Sequence, residues 1–147
     1  MTEFAAYSRD QLRRSYAEAW SKRLAGRPLS ALEAMIADVI ALHPEHQPLF
    51  ADPDRLQGFE AAAGEAEENP FLHLGLHLAV REQVAIDRPP GVRDLHRRLQ
   101  AQRDDAHGGE HELMQALAET LWEAQRDGRA PDEQRYLLRA RERLRKR

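Results

Sequence analysis

The feature that most constrains the fold is the dipeptide Asn69-Pro70 with the apolar run behind it. Asn is a preferred N-cap, and proline at the first helical position gives up only an N–H that has no intrahelical partner anyway. The run carries Phe71, Leu72, Leu74, Leu76, Leu78, Ala79, Val80, Val84 and Ile86 before Asp87-Arg88-Pro89-Pro90-Gly91 stops it. On a helix over Pro70 to Ile86 these residues fall on nearly every face, so the helix must be covered on several sides. Other helices are the available cover. No stretch alternates with period two and β-branched residues are few, which leaves a strand assignment without support.

The remaining helices are marked by their punctuation. Ser8 with Gln11 forms a capping box ahead of Leu12, Tyr16, Ala19 and Trp20, and Gly26-Arg27-Pro28 ends that helix. Ser30 with Glu33 repeats the box, and Leu32, Met35, Ile36, Val39 and Ile40 line one face of the second helix. His43-Pro44 interrupts it, because a residue before proline avoids the α region. Residues 47–68 read as a long loop with a turn or two and a short helix around Phe59. A polar helix follows over about Val92 to Gln102, with Leu95 and Leu99 inward, and another over about Ala106 to Arg126 with Leu113, Met114, Leu117, Leu121 and Trp122, in which His107, His111, Met114, Ala118 and Leu121 share a stripe toward the core. Gly128 suits the position after the last helical residue. A last helix begins near Pro131. The expectation is an all-α protein: residues 1–147 as a single domain, a compact bundle of about five or six helices around Pro70 to Ile86.

A chain of 147 residues buries enough surface to fold without covalent staples, and it has no cysteine. Disulfide frameworks and thiolate metal sites are thereby excluded. No apolar run approaches the roughly 20 residues a bilayer span requires, and Met1 to Asp10 lack the pattern of a secretory signal. The expectation is a soluble cytoplasmic protein with no membrane partner. Net charge is −3, but residues 133–147 carry +5 and the rest −8. The basic segment 139–147 reads as a C-terminal tail. Such a tail binds nucleic acid or an acidic partner in some proteins, and in others it is a solvated helix end that favours the negative pole of the helix dipole. Only Tyr136 interleaves the charges as a stacking platform, so the second reading is preferred.

The histidines carry the most chemistry. His73 and His77 lie one turn apart on the apolar helix, and His107 and His111 one turn apart on a later one, each pair about 5–6 Å apart on one face. Two such helices face to face would gather four imidazoles. Buried imidazoles must be neutral and hydrogen-bonded, paired with carboxylates, or bound to a metal, and neutral imidazole is a ligand for zinc, copper, nickel and iron. The candidate ligands are therefore His73, His77, His107 and His111, with Glu82, Glu110 and Glu119 in support and a divalent metal such as zinc or iron as the cofactor. The competing reading is a purely structural polar network. His43 and His46 flank Pro44 and offer a further ligand from a loop, while His96, beside Arg97 and Arg98, reads as surface. No histidine has a glutamate three residues before it, so a carboxylate-bridged di-iron centre is disfavoured. His107-Gly108-Gly109-Glu110-His111 matches the H-x-x-E-H of inverted zinc proteases, but no strand is available to align a peptide.

The run Asn69 to His77, continued through Arg81-Glu82-Gln83 to Asp87-Arg88-Pro89-Pro90-Gly91, resembles the signature of a bacterial family known as domain of unknown function 1841. His107, Glu110, His111, Met114, Leu117, Glu119 and Trp122 resemble its second block, and His43-Pro44-Glu45 a shorter one. The likeness extends from about Ser8 to Leu138. It implies an all-helical cytoplasmic protein and supplies no activity. Gly108-Gly109 departs from the helix-forming residues expected between paired histidines. Two functions follow as expectations: a histidine-lined metal-binding bundle, or an interaction module whose basic C-terminal helix binds an acidic protein or RNA.

Overall fold

The computed structural model describes residues 9–51 and 70–145. Among the described residues there are seven α-helices, one 3-10 turn and no strand. They are α1 (Arg9–Leu24), α2 (Ala31–Ala41), the 3-10 turn Pro44–His46, α3 (Gln47–Ala51), α4 (Pro70–Ile86), α5 (Val92–Ala101), α6 (Gly108–Asp127) and α7 (Glu133–Arg145). The all-α class holds, and the count exceeds the five or six expected. The added helix is α3, in which Pro48 sits within the first turn, where its missing N–H costs no hydrogen bond. The caps assigned to Ser8 and Asn69, the helix around Phe59, and Lys146 and Arg147 lie outside the described residues. No described helix is long and apolar enough to cross a membrane.

The chain divides into two compact units, residues 1–75 and 76–147. In the first, α1 packs on α2 and α3. Gly26, at φ +68, makes the turn out of α1. The capping box at Ser30 forms as read: Glu33 N–H donates to Ser30 Oγ at 3.1 Å, and Ser30 N–H to Glu33 Oε1 at 2.9 Å. Tyr16, Ala19 and Trp20 of α1 are buried, as are Ile36, Ala37, Val39 and Ile40 of α2. Leu32 and Met35 are only half-buried, so the inward stripe of α2 is narrower than its sequence suggests. Lys22 to Glu33 (2.7 Å) and Arg23 to Asp38 (2.8 Å) pin the two helices at their rim. Edge-on aromatic contacts, Tyr16 with Phe50 and Phe50 with Phe71, tie α1, α3 and the start of α4 together.

In the second unit, α5 packs on α6 and α7, and α6 packs on α7. Asp87 takes a left-handed conformation (φ 54), and its Oδ1 accepts from Gly91 N–H and Arg93 N–H, both at 3.1 Å. That carboxylate starts α5, which buries Val92, Leu95 and Leu99 on one stripe. Within α6 the buried side chains include Leu113, Met114, Leu117, Thr120 and Ala124. Leu121, expected inside on that stripe, is exposed, as is Trp122, at 63% with the Arg126 guanidinium 4.9 Å from its ring centroid. The helix turns 100° per residue, so the buried stripe through Leu113, Leu117, Thr120 and Ala124 leaves position 122 on the opposite side. Gly128, left-handed at φ 64, closes α6.

Candidate metal centre

Two histidine groups occupy these units, one in each. In the first, His43 stands at the N-cap of the 3-10 turn and is 8% exposed. Pro44 keeps His43 out of the α region, at φ −125 and ψ 75, and the ring lies inward. His43 Nδ1 lies 2.8 Å from the Val39 carbonyl oxygen. A carbonyl only accepts, so Nδ1 carries the hydrogen and the neutral ring has its lone pair on Nε2. That Nε2 is 2.8 Å from His73 Nε2, so the His73 ring donates there and one proton lies between two imidazole nitrogens. His46 stacks on His43, with ring centroids 5.5 Å apart and planes at 10°, and meets His73 edge-on at 5.8 Å. Burial pushes the His46 pKa below its ordinary value, with His43 adding to the effect and Glu45 opposing it. A small pocket beside these rings is walled by Val39, Ile40, Phe50 and Leu74.

In the second unit His77 is wholly buried. Its Nε2 is 2.7 Å from Glu110 Oε1, a hydrogen bond between α4 and the first turn of α6. Arg81, one turn beyond His77, holds the same carboxylate through Nε to Oε2 at 3.1 Å and Nη2 to Oε1 at 3.3 Å. Burial raises the Glu110 pKa, but the hydrogen bond from His77 and the charge and hydrogen bond of Arg81 outweigh it, and the group is held down at about 2. The His111 ring is 5.3 Å from that of His77 at 67°. His107 is the N-cap of α6, one-third exposed, its ring 6.5 Å from His77 and its Nδ1 3.6 Å from Glu110 Oε1.

The glycines between the second histidine pair have a steric reason. A Cβ on Gly109 would lie 2.9 Å from the backbone nitrogen of Gln100 and 3.0 Å from its Cα, and one on Gly108 would lie 2.6 Å from Arg103 Cβ. The start of α6 passes so close to the end of α5 that only glycine fits, and Gly109 N–H donates to Gln100 Oε1 at 2.8 Å. Glycine here permits packing that presents Glu110 to His77.

Of the residues singled out in the sequence, His73 and His77 share α4 one turn apart, and His77, His107, Glu110 and His111 come together in the second unit. Glu119 lies elsewhere, paired through its carboxylate with Arg143 at 3.1 Å. Glu82 is half-buried on α4. Arg81 is the addition, and His43, read as a further ligand from a loop, stands beside His73. His43-Pro44 marked a break in the sequence, and only the folded chain shows the ring turned inward. The H-x-x-E-H reading loses its general base, because both oxygens of Glu110 are engaged by His77 and Arg81 and its pKa of about 2 leaves the carboxylate a weak base. Basic residues assigned to the tail are drawn onto α6, Arg139 to Glu123 at 2.6 Å and Arg143 to Glu112 at 2.7 Å, as is Arg135 before them, to Glu123 at 2.8 Å.

The chain thus carries a histidine cluster of a kind that could hold a metal ion. Comparison with known proteins gives one family model, described as "Domain of unknown function (DUF1841)", which matches residues 8–142. No curated protein and no solved structure matches the chain.

Proposed function

The chain belongs to the DUF1841 family, and from that premise we propose that it is a metal-binding helical protein whose centre is built on the face of α4 that carries His73 and His77. Side chains four apart on a helix stand about 5–6 Å from each other, a span one ion can bridge. Each of the two has another histidine beside it, His43 for His73 and His111 for His77. His73 and His77 are the proposed ligands on this helix face, with His43 beside the first and His111 and His107 beside the second as further donors. An imidazole set without thiolate suits a divalent transition metal such as zinc or iron. The role of that metal is either catalytic or structural.

The observation that carries this reading is the His43–His73 pair. Two imidazole nitrogens point at each other across 2.8 Å, and the His43 ring is oriented from behind by a backbone carbonyl. Ligand histidines are commonly held this way, the far N–H on a carbonyl or carboxylate and the near lone pair toward the metal. A cation that replaced the intervening proton would spread the two nitrogens, which at about 2.0–2.1 Å from a tetrahedral zinc stand about 3.3 Å apart, a shift of roughly half an ångström.

The test is elemental analysis of protein purified without a histidine tag, with thermal melts in zinc. The expected result is about one metal per chain and a melting temperature that rises with free zinc, as binding to the folded state alone requires. His73→Ala and His77→Ala should each lower the metal content. Metal-free protein whose melting is indifferent to zinc, iron, nickel and copper would refute the proposal.

A further inference from the structure

Resting on that metal-binding reading, we propose that Glu110 is the positioning residue of the centre, fixing His77 as a ligand through Nδ1, the ring nitrogen opposite to the one His43 offers. The argument begins with the hydrogen bond between His77 Nε2 and Glu110 Oε1 at 2.7 Å. An ionised carboxylate only accepts, so the hydrogen sits on Nε2, and a neutral imidazole then has its lone pair on Nδ1. For His43 the same logic runs the other way, since its Nδ1–H is committed to the Val39 carbonyl.

Glu110 is well placed to enforce this. Its carboxylate is 13% exposed and is gripped at both oxygens by Arg81. Arg81 and His77 are one turn apart on α4, so the same helix face that presents the ring also holds the group orienting it. Moving the hydrogen to Nδ1 would set the Nε2 lone pair against a carboxylate oxygen at hydrogen-bond distance, and flipping the ring would put Cε1 where Nε2 stands; either costs Glu110 its bond from the ring. The backbone contribution is the close approach at Gly109, without which the first turn of α6 could not bring Glu110 this near. A carboxylate behind a ligand histidine fixes its tautomer and raises its basicity toward the metal, and loss of such a partner typically lowers metal affinity about 10–100-fold.

The test is a long-range proton–nitrogen correlation spectrum of the full chain with nitrogen-labelled histidine, recorded without metal and with zinc. Before zinc, His77 should appear as the Nε2–H tautomer and His43 as the Nδ1–H tautomer. On zinc addition the shifts of His77 Nδ1 and His43 Nε2 should move while the protonated nitrogens keep their hydrogens. Zinc competition against a chromophoric chelator should show Glu110→Gln weakened by about 10–100-fold at unchanged stoichiometry. Zinc bound at His77 Nε2, or wild-type affinity in Glu110→Gln, would overturn this inference and leave the metal reading standing. A wild-type chain that takes up no zinc would overturn both. The tautomers are read on the wild-type chain, so a Glu110→Gln variant that fails to fold does not remove the test.

Discussion

Gly75→Ala and Gly109→Ala are the same chemical change on two helices of this protein, and they should move its stability in opposite directions. Alanine is favoured over glycine inside a helix by about 1 kcal/mol, because glycine loses more backbone freedom on folding. At Gly75, in the middle of α4, an added Cβ meets nothing within 4 Å among the described residues. That variant should therefore be more stable by about 0.5–1 kcal/mol. At Gly109 the new Cβ falls 2.9 Å from Gln100 N and 3.0 Å from Gln100 Cα. Ordinary contact begins near 3.4 Å, so α5 and α6 must part by roughly half an ångström, against rigid backbone and not a flexible side-chain tip. Overpacking of this kind costs about 1–3 kcal/mol, and the bond from Gly109 N–H to Gln100 Oε1 is stretched with it. The helical gain is smaller in a first turn, so a net loss of about 1–2 kcal/mol remains. Urea unfolding followed by circular dichroism measures both, with a melting shift of about 2–4 °C per kcal/mol for a chain of this size. A Gly109→Ala protein as stable as the wild type would refute the close approach of α5 and α6, and with it the account of how Glu110 is delivered to His77.

Acid should expose the Glu110 interaction. Its folded pKa of about 2 is below the ordinary 4.5, so its contribution is present above pH 4.5 and fades as pH falls toward 2. The stability gap between wild type and Glu110→Gln, at most about 3 kcal/mol at neutral pH, should shrink over that window; a gap independent of pH would count against it. Arg139→Met should cost about 1–2 kcal/mol in chemical unfolding, since Arg139 is 18% exposed and serves both Glu123 (2.6 Å) and Thr120 Oγ1 (3.0 Å). A neutral result there would mean that these α6–α7 pairs hold nothing together. Nucleic-acid affinity, measured by fluorescence anisotropy with a single-stranded RNA, should be weak and unaffected by Arg143→Gln, because the Arg143 guanidinium is committed to Glu112 and Glu119. Tight binding that collapses in that variant would restore the interaction-module reading.

The helices were legible in the sequence because their ends are local chemistry. The Ser30–Glu33 box, Pro70 at the start of α4, Asp87 to Gly91 after it and Gly128 behind α6 act within one or two turns, over distances that spacing alone specifies. The two i, i+4 histidine pairs were legible for the same reason. What the tertiary structure decided is everything that depends on which helix lies against which. It turned Leu121 and Trp122 outward, bent His43 inward behind Pro44, and left His107 at a partly exposed cap while drawing Glu110 to His77 and Arg81. It gave Gly108-Gly109, a helix weakness by propensity, the role of a close contact with α5. Hydrogen-bond direction and steric fit belong to pairs of groups on different elements, 30 positions apart for His43 and His73 and 33 for His77 and Glu110. Periodicity relates only neighbours three or four apart on one helix, and it carries no information about such pairs.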